Sequence, residues 1–167
     1  MKDFHYYIKK LGLVKHPEGG WFKEVYRSSE VIKKEYLPPR FHGERHHSTS
    51  IYFLLTSDTF SAFHRIHSDE LWHFYAGSPV TVYMIDEGGK YSEVILGSDP
   101  EEGEVFQFAV PAGVWFGAMV NVPDSFTLIG CTVAPGFHFD DFSLGKREEL
   151  TLNYPQHKDI IEKLTRE

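Results

Sequence analysis

Short runs of apolar and β-branched residues with two-residue periodicity fill most of this chain. Each run is bounded by Gly, Pro, Asp, Asn or Ser, which is the signature of strands. The clearest are Trp21–Arg27, Ser50–Leu55, Phe60–Ile66, Leu71–Ala76, Val80–Asp86, Tyr91–Leu96, Glu104–Val110 and Phe126–Val133, within a total of nine or ten. Turns at Thr56-Ser57-Asp58, Asp86-Glu87-Gly88-Gly89 and Asn121-Val122-Pro123-Asp124 recur at the spacing of antiparallel sandwiches and barrels. Helical spacing occurs only at the ends. Asp3 caps a short helix carrying Phe4, Ile8 and Leu11 and closed by Gly12. A second helix is expected from Pro155 to Thr165, burying Ile160, Ile161 and Leu164. Between the first two strands, Pro38 to Ser48 is a polar stretch with Arg40, His42, Arg45, His46 and His47, too long for an ordinary hairpin and read as either a functional flap or a merely mobile loop.

The fold class is therefore all-β, a jelly-roll sandwich of a single domain over residues 1–167, with a helix at each end. Composition narrows the partners. With 41% apolar residues in 167, the chain can bury a core unaided by disulfides, and its one cysteine, Cys131, reads as a small buried hydrophobe. A formal charge of -7 argues against nucleic acid and anionic membranes. No run approaches a membrane span, and the first ten residues are too polar for a signal-peptide core, so a cytoplasmic location is expected.

The densest chemistry lies in Phe63-His64-Arg65-Ile66-His67-Ser68-Asp69-Glu70-Leu71-Trp72-His73-Phe74-Tyr75-Ala76-Gly77. Strand alternation puts Glu70, Trp72 and Phe74 on one face and Leu71, His73 and Tyr75 on the other. With the later Pro111-Ala112-Gly113-Val114-Trp115-Phe116, this stretch resembles the two motifs of the cupin barrels. Glu70 and Gly77 are separated as in the first motif and His64 takes its first histidine position, but Ile66 stands at the second histidine position and Phe116 at the histidine of the second motif. The segments His16-Pro17-Glu18-Gly19-Gly20-Trp21-Phe22, Tyr52-Phe53-Leu54-Leu55, Ser68 to Tyr75, Pro111 to Ala118 and Gly130 to Phe137 further resemble the small cupin family known as a domain of unknown function, which looks like sugar-nucleotide epimerases.

The resemblance implies a double-stranded β-helix enclosing a ligand cavity. Two of the four usual metal positions are apolar, so no metal and no cofactor is expected; His67, His42, His46 or His47 would have to complete any set around His64 and Glu70. Metal-free proton transfer then points to His64 as the base, with Glu70 or Asp141 holding its tautomer and Tyr52, Tyr83 or Tyr26 as the companion acid. Ligand contacts are expected from Arg27, Phe63, Trp72, Phe74, Tyr83, Trp115, Phe116 and Asp141, whose rings and charges suit a sugar or nucleotide-sugar, although Trp72, Phe74, Trp115 and Phe116 also read as core. Pro135 to Phe142 reads as an aromatic cap. Three function classes stay open: a metal-independent epimerase or isomerase, a binding or sensing module without turnover, and a metal-dependent enzyme. Sheet edges at the first long strand suggest a homodimer.

Overall fold

A computed structural model describes residues 2–167. Helix α1 (Phe4–Leu11) opens on Asp3, whose Oδ1 accepts the Tyr6 amide at 2.9 Å, and closes on Gly12 in the left-handed conformation. Thirteen strands follow: β1 (Val14–Lys15), β2 (Trp21–Arg27), β3 (Val31–Ile32), β4 (Arg45–His46), β5 (Thr49–Thr56), β6 (Ser61–Arg65), β7 (Asp69–Gly77), β8 (Val80–Ile85), β9 (Tyr91–Leu96), β10 (Gln107–Val110), β11 (Trp115–Val120), β12 (Phe126–Ala134) and β13 (Ser143–Leu144). Helices α2 (Arg147–Asn153) and α3 (Lys158–Lys163) end the chain, so the single C-terminal helix expected from Pro155 is two, divided by a 3-10 turn at Pro155–His157. Strand β11, which the periodicity alone did not single out, is the central partner of the smaller sheet. Its Gly117 and Ala118 interrupt the run of large side chains that marks the other strands.

The strands form two antiparallel sheets, ordered β1-β2-β5-β12-β7-β10 and β13-β6-β11-β8-β9. Inward positions of both, including Phe53, Leu55, Trp72, Val82, Met84, Phe116 and Ile129, make one core. Each sheet also buries its outer face. Helix α1 covers Leu54 and Leu128 of the larger sheet, and α2 and α3 cover Phe63 and Ile85 of the smaller one. Both parities of β5 are therefore apolar, with Phe53 and Leu55 between the sheets and Tyr52 and Leu54 under α1. Alternation fixes which residues share a face but not which face is the interior.

The flap is anchored rather than free-standing. Phe41 within it is fully buried, Arg40 Nε donates to the His67 carbonyl at 2.7 Å, and Arg45 makes a two-pronged ion pair with Asp141 at 2.6 and 2.7 Å.

Candidate functional site

A cavity of about 410 Å³ opens between the sheets at the end nearest the β1–β2 turn and the segment after β12. This volume lies in the range of small-molecule sites. Phe22, Ile51, Ile66, Val133, Phe137 and Phe142 make most of its wall, and His16, Glu18, His64, Glu70 and Cys131 make its polar floor. Glu24 and Arg27, each about a third exposed or more, stand at the mouth as an ion pair of 2.7 Å. A bulge in β2 between Glu24 and Tyr26 lets both face the cavity although they are three residues apart. Arg27 also donates to the Phe137 carbonyl at 3.3 and 3.4 Å, linking β2 to the cap.

The floor is built around His64 and Glu18. His64 Nδ1 lies 2.7 Å from the Ala62 carbonyl, an acceptor only, so this nitrogen carries the hydrogen. Nε2 faces Glu18 Oε2 at 3.0 Å. One proton then serves the pair, resting either on the carboxyl or on the ring. Burial pushes the His64 imidazole down to about 3, and burial together with the nearby Glu70 carboxyl holds Glu18 well above the usual carboxylate range. The pair is thus neutral: a protonated Glu18 donates to an uncharged His64. His16 Nδ1 accepts the Glu18 amide at 3.2 Å, and burial lowers this ring to about 4.

Glu70 projects inward from β7 beside Trp72, whose Nε1 donates to Oε1 at 2.9 Å. Burial pushes this carboxyl up to about 7, against the opposing pull of its Cys131 and Trp72 neighbours. Glu70, Trp72 and Phe74 all face between the sheets, while a bulge opposite Leu128 and Ile129 ends strict alternation at Tyr75.

Glu18 was not among the candidate residues from the sequence. It lies in a turn, where no periodicity tells which way a side chain points. The turn itself is dictated by Gly19 and Gly20, both at positive φ, where a Cβ would collide with the Phe60 and Leu54 carbonyls. Ala62 and Arg166 bond the Glu18 carbonyl at 2.9 and 3.1 Å, so the residue is held in place from both sides. The only signal was the segment His16 to Phe22 within the family resemblance.

Several expected residues lie elsewhere. Tyr52 is on the outer face of the larger sheet, its ring 6.1 Å from that of Tyr75, and is remote from His64 as an acid. Tyr83, Phe63 and Trp115 are on the outer face of the smaller sheet under α2 and α3, with the Arg65 guanidinium 4.5 Å over the Trp115 ring. Tyr26 is 55% exposed. Trp72, Phe74 and Phe116 face inward but belong to the packed core beneath the cavity; the Phe116 ring lies 4.1 Å from that of His64 and supports it. Asp141 does not reach His64. It is spent on Arg45, with His67 Nδ1 3.3 Å away. Of the expected ligand contacts Arg27 alone lines the cavity, together with His64 and Glu70 of the expected catalytic set.

The donor set does not fit a metal ion. Ile66 is part of the cavity wall, Phe116 fills the position facing His64, and among the described residues no three His, Cys, Asp or Glu side chains converge on one point. Nor do the flap histidines complete a set: His42 sits near His67, and His46 Nδ1 is 2.7 Å from the Ser28 carbonyl.

The two sheets and the cavity between them define a jelly-roll barrel of the cupin class. The chain belongs to the cupin superfamily group DUF985, whose family model matches residues 5–145. It is similar to the uncharacterized protein YML079W of Saccharomyces cerevisiae, 32% identical over 151 residues that cover 85% of this chain and 75% of the yeast protein. Solved structures that resemble it include protein SO0799 from Shewanella oneidensis, 43% identical with a TM-score of 0.89 over 99% of both chains. A hypothetical protein from Leishmania major is 34% identical, with a TM-score of 0.91 over 99% of this chain and 100% of that one. Oxalate decarboxylase from Bacillus subtilis, 15% identical with a TM-score of 0.55 over 90% of this chain and 36% of that one, shares the fold alone.

Proposed function

We propose that this cupin binds a small molecule in the cavity and moves a proton on it without a metal ion. Isomerisation or epimerisation next to a carbonyl is the reaction class that suits such a site. The observation that carries this reading is the 3.0 Å contact between Glu18 and a His64 whose other nitrogen is held by the Ala62 carbonyl. A protonated carboxyl on a neutral imidazole is a general acid that the ring orients through Nε2, and it recovers its proton from the ligand when the step reverses. Glu70, close to half ionised near neutral pH, is a general base matched to its working pH. In the forward step Glu70 takes a proton from carbon as Glu18 gives one to the carbonyl oxygen; in the return step Glu70 gives its proton to one of the two enediol carbons as Glu18 recovers a proton from the oxygen on the other.

A second reading, binding without turnover, draws support from the same geometry, because both His64 nitrogens are already hydrogen-bonded. The aromatic wall and the carboxyl acceptors would suit a sugar ring, but a nucleotide-sugar's diphosphate would meet only Arg27, already paired with Glu24. Incubating a bound carbonyl ligand with the protein in deuterated water separates the readings. Deuterium entering at the carbon next to the carbonyl, and lost in Glu18→Gln and Glu70→Gln, supports proton transfer. Saturable binding with no exchange in the wild type leaves the binding module.

A further inference from the structure

Two carboxyls from distant parts of the chain, Glu18 and Glu70, meet on the floor of one apolar cavity, and neither faces a lysine or an arginine. Both are more than nine-tenths buried. Buried carboxyls are ordinarily matched by a cation or a full set of donors. Glu70 has one strong donor, the Trp72 indole; beside its carboxyl lies the Cys131 thiol, a weak one. Glu18 has its backbone pinned, one oxygen on His64 and the Ser61 hydroxyl beside its carboxyl, while its other oxygen lies 3.6 Å from a His16 nitrogen that is itself an acceptor for the Glu18 amide. The only arginine on the cavity is at the mouth and is cancelled by Glu24. His46 and His138, also near the mouth, are tied to the Ser28 carbonyl and the Asp140 amide through Nδ1. The interior therefore offers acceptors without a countercharge, inside walls of Phe22, Ile51, Ile66, Val133 and Phe142.

We infer that the ligand of this cavity is a small amine, with an apolar body against the aromatic wall and a protonated amino group between Glu18 and Glu70. The inference rests on the proposed role of the same cavity and narrows its substrate class. An ammonium group supplies three donors and the missing positive charge, where an alcohol supplies one donor and a carboxylate or phosphate adds a third negative group. Because Glu18 holds its proton and Glu70 is close to half protonated near neutral pH when the site is empty, arrival of a cation displaces part of that proton content, and binding releases protons.

The full-length protein can be titrated calorimetrically at pH 7 with 2-phenylethylamine, 2-phenylethanol, 3-phenylpropanoate and glucose 1-phosphate. The amine is expected to bind at least roughly tenfold tighter than the alcohol, the scale of one charge-assisted hydrogen bond, with the two anions weaker still. Repeating the amine titration in two buffers of different ionisation enthalpy should show proton release. Glu70→Gln, which keeps the shape and the Trp72 bond, should cut amine affinity roughly tenfold and leave the alcohol unchanged. An anion binding more tightly than the amine overturns the amine assignment but keeps the cavity as a ligand site. The same holds for amine binding that Glu70→Gln does not weaken. No heat with the amine up to millimolar concentration also overturns the assignment, whereas deuterium exchange on a carbonyl ligand tests proton transfer independently.

Discussion

Asp141 and Glu18 are almost equally shielded from water, 3% and 7% exposed, and each contacts a nitrogen base. Their states are opposite. Asp141 meets a guanidinium through two parallel bonds, a buried ion pair that pushes Arg45 further up. Glu18 meets an imidazole, a base weak enough that burial leaves it without a proton. The strength of the partner, not the degree of burial, decides whether a buried carboxyl becomes a fixed ion or a neutral acid. The first ties the flap to the cap; the second can part with its proton. Two almost equally buried carboxyls thus divide into a staple and a candidate reagent.

The sharpest way to break the comparison is to replace each acid by its amide. Asp141→Asn strands the Arg45 charge, and a loss of about 3–5 kcal/mol is expected in denaturant unfolding, the usual cost of removing one partner of a buried ion pair. Unfolding at an unchanged midpoint would mean that the pair contributes nothing.

Next in size is the pH dependence that Glu70 imposes. Its folded pKa, about 7, lies above the ordinary 4.5, so the folded state keeps a proton that the unfolded chain gives up between those values. Stability therefore falls as pH rises through this window. Glu70→Gln removes that loss and should raise stability by about 3 kcal/mol at pH 8 while changing it little at pH 4. His16 and His64 work on the acid side. Held at about 4 and about 3 in the folded state, they take up protons on unfolding below about 6.5, so stability falls as pH drops. Equal stability of wild type and Glu70→Gln from pH 4 to 8 would contradict a protonated Glu70.

The smallest effect is expected for Glu18→Gln at pH 6, a change within about 1 kcal/mol, because the amide N–H can donate to His64 Nε2 as the carboxyl O–H does. A loss approaching that of Asp141→Asn would show the pair to be ionic and erase the distinction between the two acids.

Much of this protein was legible in its sequence. Period-two patterning placed Trp21–Arg27 and Tyr91–Leu96 at their observed limits and the other predicted strands within one to three residues, because pleated strands packed on a core must alternate. The cap and the left-handed glycine of α1 were equally plain, since they depend on neighbours in the chain. Resemblance to the cupin motifs, rather than patterning, was what singled out Ile66 and Phe116. Tyr52 and Tyr83 were misplaced for a definite reason: helices cover the outer faces of both sheets, so hydrophobicity marks both parities of a strand alike. Glu18 was missed because a turn has no period, and its direction comes from Gly19 and Gly20 pressed against the Phe60 and Leu54 carbonyls. Asp141 was near His64 in expectation and on Arg45 in fact, ninety-six residues away. The sequence by itself determined which residues are strands and which share a face, both of them local or periodic properties. Only the tertiary structure decided which face encloses the cavity and which acid meets which base, because those depend on contacts between segments that no local pattern encodes.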